Sequence, residues 1–129
     1  AVTDALVETV DVFPTLVELC GLPAAEHLQG SSTVPLLEQS EGAWKSAAFS
    51  QFPRGDEAMG RAIRTDRFRY VEWIRPNGEL AACELYDHRS DPGETVNVAA
   101  RPQHSKDVAR LHAALHAGWK AALPEVARP

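Results

Sequence analysis

Residues 65–78 constrain this chain more than any other stretch. Phe68–Ile74 alternates Phe68, Tyr70, Glu72 and Ile74 with Arg69, Val71 and Trp73, so both faces of an extended strand carry apolar groups. Thr65-Asp66-Arg67 before it reads as a tight hairpin turn, and Pro76-Asn77-Gly78 after it is a strong turn signal. Residues 47–52 and 61–65 supply two strands upstream, and Leu80–Asp87 a fourth downstream. Asp91-Pro92-Gly93 then makes a turn in which Pro presets φ and Gly tolerates a positive φ. The final segment is helical. Val108, Leu111, Leu115, Trp119 and Ala122 line one face, Lys106, Asp107, Arg110 and Lys120 lie mainly off it, and Pro124 stops it. The expected fold class is α+β: a small antiparallel sheet of about four strands, packed by a C-terminal helix.

Upstream of the sheet the pattern changes. Residues 1–10 are apolar without a clean cap, and read as an entry from something before them. Asp11 is placed to cap a helix, Pro14 falls in its first turn, and Gly21 and Pro23 end it. Phe13, Leu16, Val17 and Cys20 follow the spacing of one buried helical face. A helix this short is not stable alone, so that face needs a surface to pack on. Residues 23–42 read as loop, with turns marked by Gly30, Ser31, Ser32 and Pro35. No internal repeat or low-complexity tract is present.

The 129 residues are 44% hydrophobic and 24% charged, enough for one buried core in a soluble globular class. A net charge of -5 argues against nucleic acid or an anionic membrane surface as partner. No apolar run approaches the ~20 residues of a membrane span. No basic start followed by an apolar stretch is visible, which in a piece of a longer protein says nothing about its destination. Cys20 and Cys83 form neither a disulfide framework nor a zinc spacing, and are expected as buried free thiols.

Candidates for chemistry are few. His112 and His116 stand four apart on a helix, a spacing that can bind metal, but no carboxylate follows them in a ligand-like pattern. They are expected as surface residues. Asp87 and Asp91 flank a turn and are expected to make turn and backbone hydrogen bonds. Ser31 and Ser32 follow Gly30 without the strand–turn–helix setting of a nucleophile elbow, and no Gly-rich phosphate loop is present. The run Ser50-Gln51-Phe52-Pro53-Arg54-Gly55 is the most suggestive. An Arg at a strand end can point its planar fork into a pocket, where it suits sulfate or carboxylate; the bland alternative is a surface Arg paired with Asp56 or Glu57.

Two segments resemble a known family. Residues 10–23, Val-Asp-Val-Phe-Pro-Thr-Leu-Val-Glu-Leu-Cys-Gly-Leu-Pro, with Leu28-Gln29-Gly30-Ser31-Ser32 and Val34-Pro35-Leu36-Leu37, are similar to a stretch that sulfatases carry late in their large domain. Residues 84–99, Glu-Leu-Tyr-Asp-His-Arg-Ser-Asp-Pro-Gly-Glu-Thr-Val-Asn-Val-Ala, resemble a segment of the C-terminal sulfatase subdomain. Between them, Ser50-Gln51-Phe52-Pro53-Arg54 and residues 59–70 resemble the iduronate-2-sulfatase branch of this family, within the alkaline phosphatase superfamily.

The resemblance implies a fold in two parts. Residues 1–42 would close the α/β sulfatase domain with its last helix and loop, and residues 43–129 would form the C-terminal subdomain. It implies a sulfuric ester hydrolase whose calcium ion and formylglycine, made within a C/S-x-P-x-R motif, lie upstream. Neither Cys20 nor Cys83 fits that motif, so no catalytic residue or metal ligand is assigned in this chain. The chain is expected to complete the fold and the substrate-pocket rim, and to be inactive alone. Arg54, Phe52 and Gln51 are the expected substrate-binding residues, with Arg54 foremost. The implied partners are the N-terminal catalytic domain and a sulfated sugar. The family suggests an exported, periplasmic or lysosomal setting. Two other readings stand beside this one: the tail of a phosphonate or phosphodiester hydrolase of the same superfamily, and a non-catalytic interaction module.

Overall fold

The structure, a computed structural model, describes residues 2–24 and 26–124. It divides into two compact units, Ala1–Ser46 with Leu123–Pro129, and Ala47–Ala122.

The larger unit is the expected α+β arrangement. Four strands, β1 (Ala48–Arg54), β2 (Ala58–Arg64), β3 (Phe68–Ile74) and β4 (Leu80–Asp87), form one antiparallel sheet in sequence order. Short turns explain that order. Gly55 takes φ +54 between β1 and β2, Thr65 N–H donates to Phe68 C=O between β2 and β3, and Gly78 takes φ +85 before β4. Phe49, Ile63, Tyr70 and Leu85 lie opposite one another across the four strands and so share a face. The helix α3 (Ser105–Ala117) covers that face, with Leu111 fully buried among Ile63, Phe68, Tyr70, Leu85 and Val98. The helical periodicity is broken once. Gly118 adopts φ +80, ends α3 and starts the short α4 (Trp119–Ala122), where one continuous helix was expected.

After β4 the chain folds back along its outer edge. Asn97 Oδ1 accepts from Leu85 N–H at 3.0 Å, its amide donates to Cys83 C=O at 3.2 Å, and Val98 N–H donates to Leu85 C=O at 2.9 Å. In the turn before it the left-handed residue is Glu94 at φ 54, not Gly93. Glu94 is held there by its carboxylate, which accepts from Arg69 at 2.6 Å and meets His88 at 2.7 Å. Asp91 takes the expected turn role, accepting from Thr95 Oγ1 and Val96 N–H, and these bonds hold its carboxyl below the usual range. Asp87 has a different chief partner: the Arg67 guanidinium grips it at 3.0 and 2.6 Å and lowers its pKa.

The smaller unit departs further from expectation. The helix α1 (Val12–Leu19) forms as read, but Phe13 is 58% and Leu16 54% exposed, Cys20 is exposed, and only Pro14 is buried. The apolar face is present, and the described residues of the unit leave most of it uncovered. Cys83 is half-buried rather than buried. Asp11 stands at the N-cap position without capping α1, since its side chain is drawn elsewhere. Buried at 1% exposure, it accepts from Glu8 N–H, Ser31 N–H and Lys45 Nζ. The segment read as loop contains a short helix, α2 (Val34–Glu38), in which Pro35 occupies the first turn, where its missing N–H costs little.

Candidate functional site

Alternation along β1 decides which of the expected site residues can act together. Phe52 and Arg54 are two apart and share a face, whereas Gln51 points to the opposite one. Cross-strand register carries the first face inward: Phe52 lies opposite Gly60, and Gly60 opposite Trp73. The Arg54 guanidinium carbon sits 4.5 Å from the Trp73 ring centroid, a cation–π stack. Glu57 N–H donates to Arg54 C=O at 3.2 Å in the turn, but no ion pair of the Arg54 guanidinium with Asp56 or Glu57 is seen among the described residues. Phe52 is 67% exposed beside it.

The platform under Arg54 is itself fixed. Trp73 Nε1 donates to Glu84 Oε1 at 2.9 Å, and the other Glu84 oxygen accepts from Tyr86 Oη at 3.1 Å. Burial, with Glu84 adding to it, raises the Tyr86 pKa and keeps its hydroxyl a donor. Gly60 makes room for the ring, since a Cβ there would lie 2.8 Å from Trp73. The result is an exposed guanidinium with one face on an aromatic ring and its edge free to donate two parallel hydrogen bonds, flanked by an exposed phenyl ring.

Gln51 belongs to the other face. With Phe49, Ser50, Arg61, His116 and Trp119 it lines a cleft of about 250 Å³. Next to that cleft His112 and His116 lie at the surface as expected, each about half exposed, but their rings also reach a buried partner. His112 Nδ1 and His116 Nε2 donate to the two oxygens of Glu72, at 2.6 and 3.0 Å, and Glu72 Oε1 also accepts from Tyr70 Oη at 3.0 Å. Glu72 is 1% exposed. Burial pushes its carboxyl up, but the bonds from His112, His116 and Tyr70 outweigh that and leave the pKa lowered. Burial, with Glu72 beside it, raises the Tyr70 pKa, so its hydroxyl stays protonated.

These three residues are the one group of three or more His, Cys, Asp or Glu side chains positioned to share an ion among the described residues. Two imidazoles and a single carboxylate do not suit calcium, which takes six to eight oxygen ligands. Calcium, which the resemblance puts upstream of this chain, does not fit this group. Sequence reading missed Glu72, although a carboxylate two residues on from Tyr70 on the core face was the signal that a partner must come from the covering helix.

Comparison with known proteins identifies the family. Residues 1–120 match the family described as N-sulphoglucosamine sulphohydrolase, C-terminal. The chain belongs to this sulfatase family. Among curated relatives, the Delta 4,5-hexuronate-2-O-sulfatase of Bacteroides thetaiotaomicron is 36% identical over 112 residues, covering 83% of this chain and 22% of the relative. A sulfatase of Formosa agariphila is 31% identical over 121 residues, covering 92% of this chain and 22% of its own length. Among solved structures, the phosphonate monoester hydrolase of Agrobacterium radiobacter superposes with a TM-score of 0.69 at 32% identity, over 89% of this chain and 26% of that one. A structure captured with its substrate D-glucosamine-2-N,6-O-disulfate shares the fold, with a TM-score of 0.71 at 24% identity over 83% of this chain and 22% of that one. The sulfatase chain thus corresponds to the C-terminal portion of its relatives and spans about 22% of their length.

Proposed function

We propose that this chain is the C-terminal part of a sulfuric ester hydrolase of the iduronate-2-sulfatase type, acting on a sulfated sugar, and that it contributes the rim of the substrate pocket rather than the reacting groups. The observation that carries this reading is Arg54, stacked on Trp73 with its fork exposed, in a chain 36% identical to a hexuronate sulfatase. A planar donor pair matches a sulfate or sugar carboxylate, and Phe52 beside it offers an apolar surface to a sugar ring. Gln51 lines the cleft on the opposite face and is not counted in this rim.

Residues 1–42 close a larger α/β domain, and its remaining elements cover the face of Val12, Phe13, Leu16 and Leu19, which are each more than half exposed. A patch of this kind requires a partner. The upstream domain supplies the calcium site and the formylglycine. By itself the chain turns over no aryl sulfate; hydrolysis by purified chain, surviving a check for contaminating enzyme, would refute this.

In the intact protein, Arg54→Ala should lower kcat/KM for a sulfated disaccharide at least about tenfold, the loss of a forked pair of charge-assisted hydrogen bonds. It should leave a small aryl sulfate unaffected. Arg54→Lys should not restore the disaccharide value, because an ammonium neither stacks nor donates as a fork. Equal losses on both substrates would mean that Arg54 supports the fold instead. The 32% identity to a phosphonate monoester hydrolase keeps a second chemistry in view, and a phosphonate monoester assayed in parallel separates the two.

A further inference from the structure

Helix α3 buries Leu111 against the sheet, and it also meets the sheet at a polar place. Glu72 stands on the covered face of β3 with its two oxygens turned to two histidines one helical turn apart. The ring centroids of His112 and His116 are 4.4 Å apart and tilted by 45°. Their side chains are 54% and 51% exposed, while that of Glu72 is 2% exposed. One nitrogen from each ring and one Glu72 oxygen all lie within 4.8 Å of one another.

We propose that Glu72, His112 and His116 bind a divalent first-row transition-metal ion, with zinc as the representative, and that the ion clasps α3 to β3. The donor set is the first argument. Imidazole nitrogens with one carboxylate suit zinc, copper or nickel, and histidines at i and i+4 present both rings on one side of a helix. Geometry is the second. Bonds of about 2.0–2.2 Å to a tetrahedral ion space its ligands roughly 3.3–3.5 Å apart. The contacts at 2.6 and 3.0 Å must therefore open by less than ~1 Å. Half-exposed rings can turn that far while the buried carboxylate stays fixed.

The surroundings supply the third argument. Tyr70 Oη donates to the carboxylate and orients it, the role that supporting hydrogen bonds play around bound metals. The exposed side of the rings leaves room for water to complete the coordination. His116 also lines the cleft shared by Gln51, Arg61 and Trp119, so a water or anion on the ion can face Arg61 there. Arg61 and Cys83 are the cross-strand neighbours of Glu72, one on each side. On binding, each neutral ring moves its proton to the outer nitrogen and offers the lone pair of the nitrogen that faced Glu72, so no proton is lost and nothing is oxidised or reduced.

The test is zinc content, which is independent of substrate and of the reading of Arg54. The intact protein and its His112→Gln/His116→Gln variant are stripped with a chelator, dialysed against zinc, and analysed for metal per chain. Gln preserves an N–H toward Glu72 but is a poor zinc ligand. The wild type should hold one zinc more than the variant, and zinc should raise the Tm of the wild type only. Equal zinc content in the two proteins overturns the proposal. Should the double variant fail to fold, Glu72→Gln provides the same comparison, and full zinc retention by that variant is equally fatal.

Discussion

Replacing Lys45 with Met is expected to cost about 3–5 kcal/mol of stability, the loss typical when one partner of a buried ion pair is removed. Lys45 is 7% exposed and its ammonium lies 2.6 Å from Asp11 and 2.8 Å from Glu8. Asp11 has only protein around it and joins three pieces of chain, through the N–H groups of Glu8 and Ser31 as well as Lys45. Without the cation, two carboxylates face each other with little water to screen them. The urea midpoint, followed by fluorescence of Trp44, reports this directly, since its indole donates to Leu6 C=O in the same unit. A second substitution, Asp11→Asn, should recover part of the loss by removing the buried charge. If Lys45→Met/Asp11→Asn is as unstable as Lys45→Met, uncompensated charge is not the cause.

Leu111→Ala should lower stability by about 2–5 kcal/mol, through lost transfer energy and the cavity left behind. Leu111 is 0% exposed and packs on a sheet face whose Ile63, Tyr70 and Leu85 are themselves at 2% or below. Rigid neighbours on a sheet cannot collapse into the space, which places the loss toward the upper end of that range. The half-buried Leu115, one turn along α3, serves as the control and should lose clearly less. Urea unfolding of both variants at unchanged slope provides the comparison, and equal losses would show that burial does not set the cost here.

How far the fold was legible in the sequence can be followed residue by residue. Period-two alternation marked β3 and β4 to the residue, because their turns carry Asp, Asn and Gly that few other structures tolerate. β1 and β2 run further toward their shared turn than expected, since only Gly55 at φ +54 marks it. Helical spacing identified Leu111 as core correctly and Leu16 incorrectly, for periodicity reveals an apolar face but not whether anything in the same chain covers it. The polar sites were less visible. Arg54 stood out by its setting, while Trp73, its platform, is in contact only through cross-strand register. Glu72 and His112 are 40 positions apart, and Asp11 and Lys45 are 34 apart; pairs so distant leave no local signal beyond a charge at a position that should be apolar.

The chain's return along β4 has a consequence for how the protein behaves among copies of itself. A four-stranded open sheet has two edges on which a stranger's backbone can pair, and pairing of that kind is the usual beginning of aggregation. Here Asn97 and Val98 already occupy the hydrogen-bonding groups of Leu85 and the carbonyl of Cys83. At the other edge, Pro53 within β1 has no N–H to offer and Arg54 brings a charge beside it. Both edges are thereby blunted against a neighbouring chain's backbone, and the Asn97 that holds the fold also guards one of them.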